Sequence, residues 1–194
     1  MERIFFVDYE NVDTSGLDGL TRLTGNDKVY IYYSERHSRM TFGLHRRLME
    51  TKAGIEYRKI QDASKNALDN ELMREADGII ADKRADYYII SKDKGYESFI
   101  QKKKEYRVFL LADIRECNAV KIDWLKRVVC ARLIEDKKKF NKTYKLSDQE
   151  IDKIARWIMD ATSKQELNKH LQEMFYSEDV GYIFTRLRDL TYNL

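Results

Sequence analysis

The sequence predicts an α/β protein: a doubly wound, parallel five-stranded sheet of order 3-2-1-4-5, followed by a small all-helical domain. Three observations carry this. Short apolar runs alternate with amphipathic stretches from the N-terminus to Leu111. Several of those runs are apolar at consecutive positions, as strands covered on both faces are. Beyond Leu111 only helical patterns remain. Strands alternating with helices imply βαβ units, whose right-handed crossovers give a sheet with helices on both faces.

Each element follows from its own residues. Strands are expected at Arg3–Val7, Lys28–Tyr33, Ile55–Ile60, Asp86–Ser91 and Tyr106–Leu111. The third alternates apolar and polar residues, which suits a place nearer an edge. Helices are expected at Ser15–Leu23, at Ser38–Thr51 with Met40, Leu44 and Leu48 in register, and at Lys65–Asp82 with Leu68, Leu72, Ala76, Ile79 and Ile80 on one face. A short helix follows at Tyr96–Lys103, and a long one at Ala119–Leu133 with Val120, Trp124, Val128 and Ala131 on one side. A lysine-rich linker runs from Glu135 to Lys145, so the boundary is set near Lys142, between a domain of residues 1–140 and a helical domain of 146–194. Ser147 with Glu150 and Ser163 with Glu166 have capping-box spacing and open two of its three helices.

Composition narrows the function classes. Hydrophobic residues make up 43%, enough for a core, while 36 basic and 33 acidic residues leave a net charge of only +3. A balance that even says little about partners, so the placement of charge must carry the argument. No stretch approaches the roughly 20 apolar residues that cross a bilayer. Cys117 and Cys130 have neither metal-ligand nor redox spacing, and the expectation is a cytoplasmic protein with reduced thiols. His37, His45 and His170 are scattered, and no glycine-rich phosphate loop is present.

The chemistry gathers on aspartates. In an open parallel sheet, functional groups collect past the carboxyl ends of strands, at the switch in strand order. Asp8 follows the first strand, Asp93 the fourth and Asp113 the fifth. In the order 3-2-1-4-5 the first and fourth strands are neighbours, so Asp8 and Asp93 face one crevice. Asp69 sits in the first turns of the third helix, whose N-terminus points to the same edge. Carboxylates crowded together repel unless a cation joins them. A set of hard oxygen ligands without His or Cys selects Mg²⁺ or Mn²⁺. Glu10 and Glu71 lie close by in sequence.

Three motifs, FFVDYENV, KNALDNEL and ADYYIISKDKGYESFI, occur in order with βα spacing. Together they resemble the NYN branch of the PIN-like nuclease superfamily, over roughly residues 3 to 115. The resemblance implies metal-dependent cleavage of RNA. It puts metal binding on Asp8, Asp69 and Asp93, a role for Asn11 in orienting Asp8 or a ligand water, loop shaping on Ser91 and a phosphate contact on Lys65. Asp113 is matched only by its position after the fifth strand. The chain also departs from the pattern: Gly95 stands where the family often has a second acidic residue, and Tyr96 stands in place of Phe.

Basic residues complete the reading. Arg36, Arg39, Arg46 and Arg47 crowd the second helix and its approach, and Lys92 and Lys94 flank Asp93. A basic rim beside an acidic pocket suits a polyanion drawn towards metal ions. The expected function is therefore a Mg²⁺- or Mn²⁺-dependent endoribonuclease acting on single-stranded RNA, with Asp8, Asp69, Asp93 and Asp113 as its acidic set. The departure at Gly95 supports an alternative, a catalytically weak module of the same fold that binds nucleic acid or a protein partner. The C-terminal helices are candidates for a protein partner or for homodimer formation.

Overall fold

The computed structural model describes residues 2–61, 64, 66–134 and 146–191. Five strands, β1 (Arg3–Asp8), β2 (Asp27–Ser34), β3 (Gly54–Ile60), β4 (Asp86–Ile90) and β5 (Arg107–Leu111), form one sheet in the order β3-β2-β1-β4-β5, as the sequence predicts. All neighbours are parallel. The two runs most continuously apolar in sequence, β1 and β4, are adjacent and almost wholly buried. The alternating run β3 is an edge strand whose Glu56 and Arg58 form an exposed ion pair, a charge placement that blunts an open edge.

Side chains alternate across the sheet. On one face Ile4, Phe6, Tyr30, Tyr32, Tyr87 and Ile89 pack with Leu68, Leu72 and Ala76 of α3 (Ala67–Ile79) and Phe99 of α4 (Glu97–Lys102). On the other, Phe5, Tyr88 and Phe109 stack across three strands, with ring centroids 4.9 and 5.4 Å apart. This second face is covered by α1 (Tyr9–Gly16) and α2 (Phe42–Glu50). Gly16 permits the close approach of α1, because a Cβ there would lie 3.3 Å from Ile90 Cγ2 and 2.1 Å from Val12 Cγ2.

The first helix departs from the expectation at Ser15–Leu23. It begins at Tyr9, directly after β1, because Asp8 is itself the N-cap and accepts the Asn11 N–H. The expected segment holds instead the end of α1 and a 3-10 turn at Leu20–Arg22. Asp13 interrupts α1 with φ 50° and ψ −151°, unusual for a residue other than glycine.

By internal contacts the chain divides into Met1–Cys117 and Asn118–Leu194. In the second unit α5 (Cys117–Ile134), α6 (Asp148–Asp160), α7 (Lys164–Met174) and α8 (Ser177–Leu187) share one apolar core. The buried stripe of α5 is Ile122, Leu125, Val129 and Leu133. Of the expected stripe, Trp124 and Val128 pack against the flank of this core partly buried, whereas Ala131 is exposed. Ser147 and Glu150 form the expected capping box, whereas Glu166 turns its carboxylate to Thr162 and leaves Ser163 to cap α7 alone. The boundary near Lys142 lies outside the described residues. Among the described residues no helix is long and apolar enough to cross a membrane.

Charges are also buried where the strands begin. Arg107, 4% exposed, pairs with Asp86, 0% exposed, and also donates to the Ala85 carbonyl. Removing one partner strands the other charge in the core. Asp86→Ala is expected to lower stability by about 3–5 kcal/mol in denaturant unfolding. Lys83→Ala, which removes an exposed pair with Glu105 and an outlying contact with the Tyr106 ring, should change it little. A loss below about 1 kcal/mol for Asp86→Ala would contradict the assignment of that pair to the core.

Candidate active site

Asp8 ends the central strand, and the sheet carries it to the switch point between β1 and β4. The residue is 2% exposed. Its Oδ1 accepts the backbone N–H of Asn11 at 3.2 Å, and its Oδ2 accepts the Ser91 hydroxyl at 3.0 Å. These donors come from the start of α1 and the end of β4, so the carboxylate joins three elements. Burial pushes its pKa up to about 6; the Ser91 and Asn11 hydrogen bonds oppose that rise, and the charge of Asp69 adds to it.

Tyr96 connects the two aspartates. It lies just before α4, is 1% exposed, and sets its hydroxyl 2.8 Å from Asp69 Oδ1 and 3.2 Å from Asp8 Oδ2. A phenol has one proton, so it donates to one carboxylate at a time, and the shorter contact is to Asp69. Burial and the two carboxylates hold the phenol well above its ordinary pKa, so it remains a donor. When Asp8 is protonated, its own proton can go to the Tyr96 oxygen while Tyr96 donates to Asp69. Asp69 stands in the first turn of α3, as expected.

The remaining predicted residues are dispersed around this centre. Asn11 orients Asp8 through its backbone; its side-chain oxygen accepts the Lys92 N–H at 2.7 Å and so ties α1 to the loop after β4. Ser91 accepts the Asp93 N–H at 3.1 Å while donating to Asp8. The Asp93 side chain is exposed and accepts the Gly95 N–H at 2.7 Å, capping a short turn. Asp113 is held by Arg115 at 2.8 Å, and that bond leads in keeping its carboxyl below the usual range. Glu71 pairs with Arg74. Lys65 lies outside the described residues. Tyr96 was legible only as an aromatic replacing Phe; the signal was its hydroxyl, for which most buried tyrosines find a partner.

Beside Asp69 opens a cleft of about 430 Å³. Its lining includes Glu10, Glu35, Arg36, His37, Asn66 and Asp69. His37 Nδ1 lies 3.4 Å from Glu10. Among the described residues Arg36, Arg39, Lys92 and Lys94 have no carboxylate partner, whereas Arg46 pairs with Glu50 and Arg47 with Asp18.

The sequence model of the PIN domain family matches residues 2–106, which span all of β1–β4 and every residue of the Asp8, Ser91, Tyr96 and Asp69 group. The chain belongs to the PIN domain family. No curated protein and no solved structure gives a significant match. PIN domains are generally metal-dependent nucleases. The donors here fit a divalent cation in part. Asp8 and Asp69 supply hard oxygens about one hydroxyl, and Mg²⁺ is commonly bound by one or two carboxylates together with waters and substrate phosphates. Among the described residues no group of three acidic, His or Cys side chains is gathered to hold a metal. What this PIN domain brings together is two carboxylates about one hydroxyl rather than a closed cage of ligands.

The Asp8 shift gives a signed prediction. Its folded-state pKa of about 6 lies above the ordinary 3.8, so the folded protein keeps a proton that the unfolded chain has released. Without metal, Asp8 therefore weakens the fold as pH rises from about 4 to about 6, by about 3 kcal/mol at most. Asp8→Asn is expected to be more stable than wild type near pH 7 in EDTA, with the gain shrinking towards pH 4. Thermal melts across that range test this. An Asn variant less stable than wild type at about pH 7 would contradict it.

Proposed function

We propose that this PIN domain is an endoribonuclease that takes Mg²⁺ or Mn²⁺ and hydrolyses phosphodiester bonds in single-stranded RNA. The observation that carries the reading is the pairing of Asp8 and Asp69 about Tyr96, without a cationic partner among the described residues, at the edge of a cleft rimmed by unpaired arginine. RNA as substrate rests on the motif resemblance, since the same chemistry would serve single-stranded DNA. A cytoplasmic setting agrees with Cys117 and Cys130 standing outside any disulfide among the described residues.

Asp8 and Asp69 would hold the cation. Once bound, it would activate water and neutralise charge on the phosphate under attack. Ser91 and the Asn11 backbone hold Asp8 in place, and Tyr96 keeps both carboxylates at a fixed separation. Arg36, Arg39, Lys92 and Lys94 would draw in and position the phosphates. Asp93, two residues beyond Ser91, would join the ligands by a side-chain rotation that gives up its Gly95 cap. Asp113 would act less directly, near Lys92, whose charge it feels. The catalytic unit in this reading is Met1–Cys117.

One observation favours the alternative of a weakly catalytic binding module: Asp93 is turned towards Gly95 and adds no third carboxylate to the pair. Cleavage of labelled single-stranded RNA separates the two. With Mg²⁺ or Mn²⁺ the wild type should cleave, and excess EDTA should stop it. Asp8→Asn and Asp69→Asn should lose more than the roughly 10- to 100-fold typical of an outer-shell partner, and Tyr96→Phe should fall within that range. Cleavage that persists in EDTA or in Asp8→Asn would overturn the mechanism. RNA that is bound but left intact by wild type would establish the binding module instead.

Arg36→Ala should weaken RNA binding and lower the salt dependence by about one phosphate contact. Arg46→Ala, which removes a residue already paired with Glu50, should change binding less. The reverse order would refute the assignment of the rim.

A further inference from the structure

A second concavity, of about 290 Å³, opens on the α2 face of the sheet. Leu17, Ile31 and Leu44 form its apolar base, and Tyr33, Tyr57 and Met40 stand around it. Ile31 pairs with Tyr57 in the β2–β3 register, and Tyr33 lies two residues beyond Ile31, so the three share one face. Tyr33 and Tyr57 both line the concavity from neighbouring strands. Tyr57 is 48% exposed and Met40 45%, so neither is spent on filling the core.

Two further observations connect this pocket to nucleic acid. His37 lines both it and the cleft beside Asp69, so the two concavities meet at one residue. Arg36 lines the cleft and Arg39 lines the pocket, and among the described residues neither has a carboxylate partner. Unpaired guanidinium groups on either side of the junction complement a chain of phosphates passing from one concavity to the other. The pocket volume lies at the lower limit for small-ligand sites, which suits one flat heterocycle rather than a helix or peptide strand.

We propose that this pocket receives one base of the RNA strand whose backbone lies in the cleft, stacked against Tyr57 and Tyr33. The proposal rests on the nuclease reading above and adds to it a base-binding subsite on the opposite face of the sheet from α3. His37 sits at the turn between backbone and base. Tyr9 serves as a wall, since its hydroxyl donates to the Arg39 carbonyl at 3.3 Å and fixes the loop that closes the pocket.

The test uses a short fluorescein-labelled single-stranded oligoribonucleotide, with the full chain in EDTA to prevent cleavage. Binding is measured for wild type, Tyr57→Ala and Tyr57→Phe, and for copies of the RNA carrying one abasic site at successive positions. Stacking on an aromatic ring predicts that Tyr57→Ala weakens binding by about 5- to 150-fold while Tyr57→Phe retains it. One abasic position should weaken wild type by a similar factor and leave Tyr57→Ala unchanged, because the two changes delete the same contact. Melting curves verify that the variants fold, which the exposure of Tyr57 favours.

Binding that is equal in wild type and Tyr57→Ala, or abasic losses that persist undiminished in Tyr57→Ala, would overturn the pocket. If wild type still cleaves RNA with Mn²⁺ in that case, the nuclease reading stands without it. A wild type that neither binds nor cleaves RNA would remove both.

Discussion

Taking the Asp8 carboxylate out of water costs free energy that its hydrogen bonds return only in part, and the Met1–Cys117 unit is organised around that cost. The apolar run of β1 must lie in the middle of the sheet to be covered on both faces. Its last residue is then delivered to the crevice where the strand order switches. Ser91 at the end of β4 and the N-terminus of α1 each give Asp8 a donor, and the Tyr96 hydroxyl before α4 lies within hydrogen-bond distance of it. Through Tyr96 the same grouping reaches α3 at Asp69. The carboxylate therefore sets the relative positions of four elements.

The two edges of the sheet treat buried carboxylates differently. Where the strands begin, Asp27 and Asp86 are neutralised by Arg3 and Arg107. Burial pushes Asp27 upward, but Arg3 and Thr24 more than offset it and hold the carboxyl below its usual range. Where the strands end, Asp8 and Asp69 have among the described residues only neutral donors, and Asp8 is pushed upward instead. A fold that supplies arginine at one edge has the means to supply it at the other. At the carboxyl edge Arg115 serves Asp113, while Asp8 and Asp69 are left without a cationic side chain among the described residues, at a cost in stability.

Much of this was legible in the sequence. Five apolar runs, the continuity of β1 and β4 and the alternation in β3 define the sheet and its edge, because hydrophobic burial acts on residue patterns. Aspartates that follow strands fall at the carboxyl edge by topology alone. Side-chain direction was not legible. Asp93 arrives at the right edge, yet its carboxylate is captured by the Gly95 N–H two residues on, a local turn that competes with any distant partner. Asp113 is captured by Arg115 in the same way. Tyr96 contributes through one hydroxyl whose partners are 27 and 88 residues away. The start of α1 lies at Tyr9 and not at Ser15, because Asp8 caps the helix directly after β1, and the polar run from Glu10 to Ser15 carries little apolar periodicity to mark it. The stripe of α5 was misplaced because apolar residues lie on more than one of its sides, leaving the partner helices to choose the buried one.

The central claim is that Asp8 and Asp69 form an uncompensated pair made to share a cation. Carboxyl-carbon NMR of the Asp8 side chain, titrated with pH in EDTA and again in Mg²⁺, tests it without reference to activity. The account predicts a midpoint near 6 in EDTA, a lower midpoint in Mg²⁺, and loss of the Mg²⁺ effect in Asp69→Asn. An Asp8 that titrates near 3.8 and is unmoved by Mg²⁺ would contradict it.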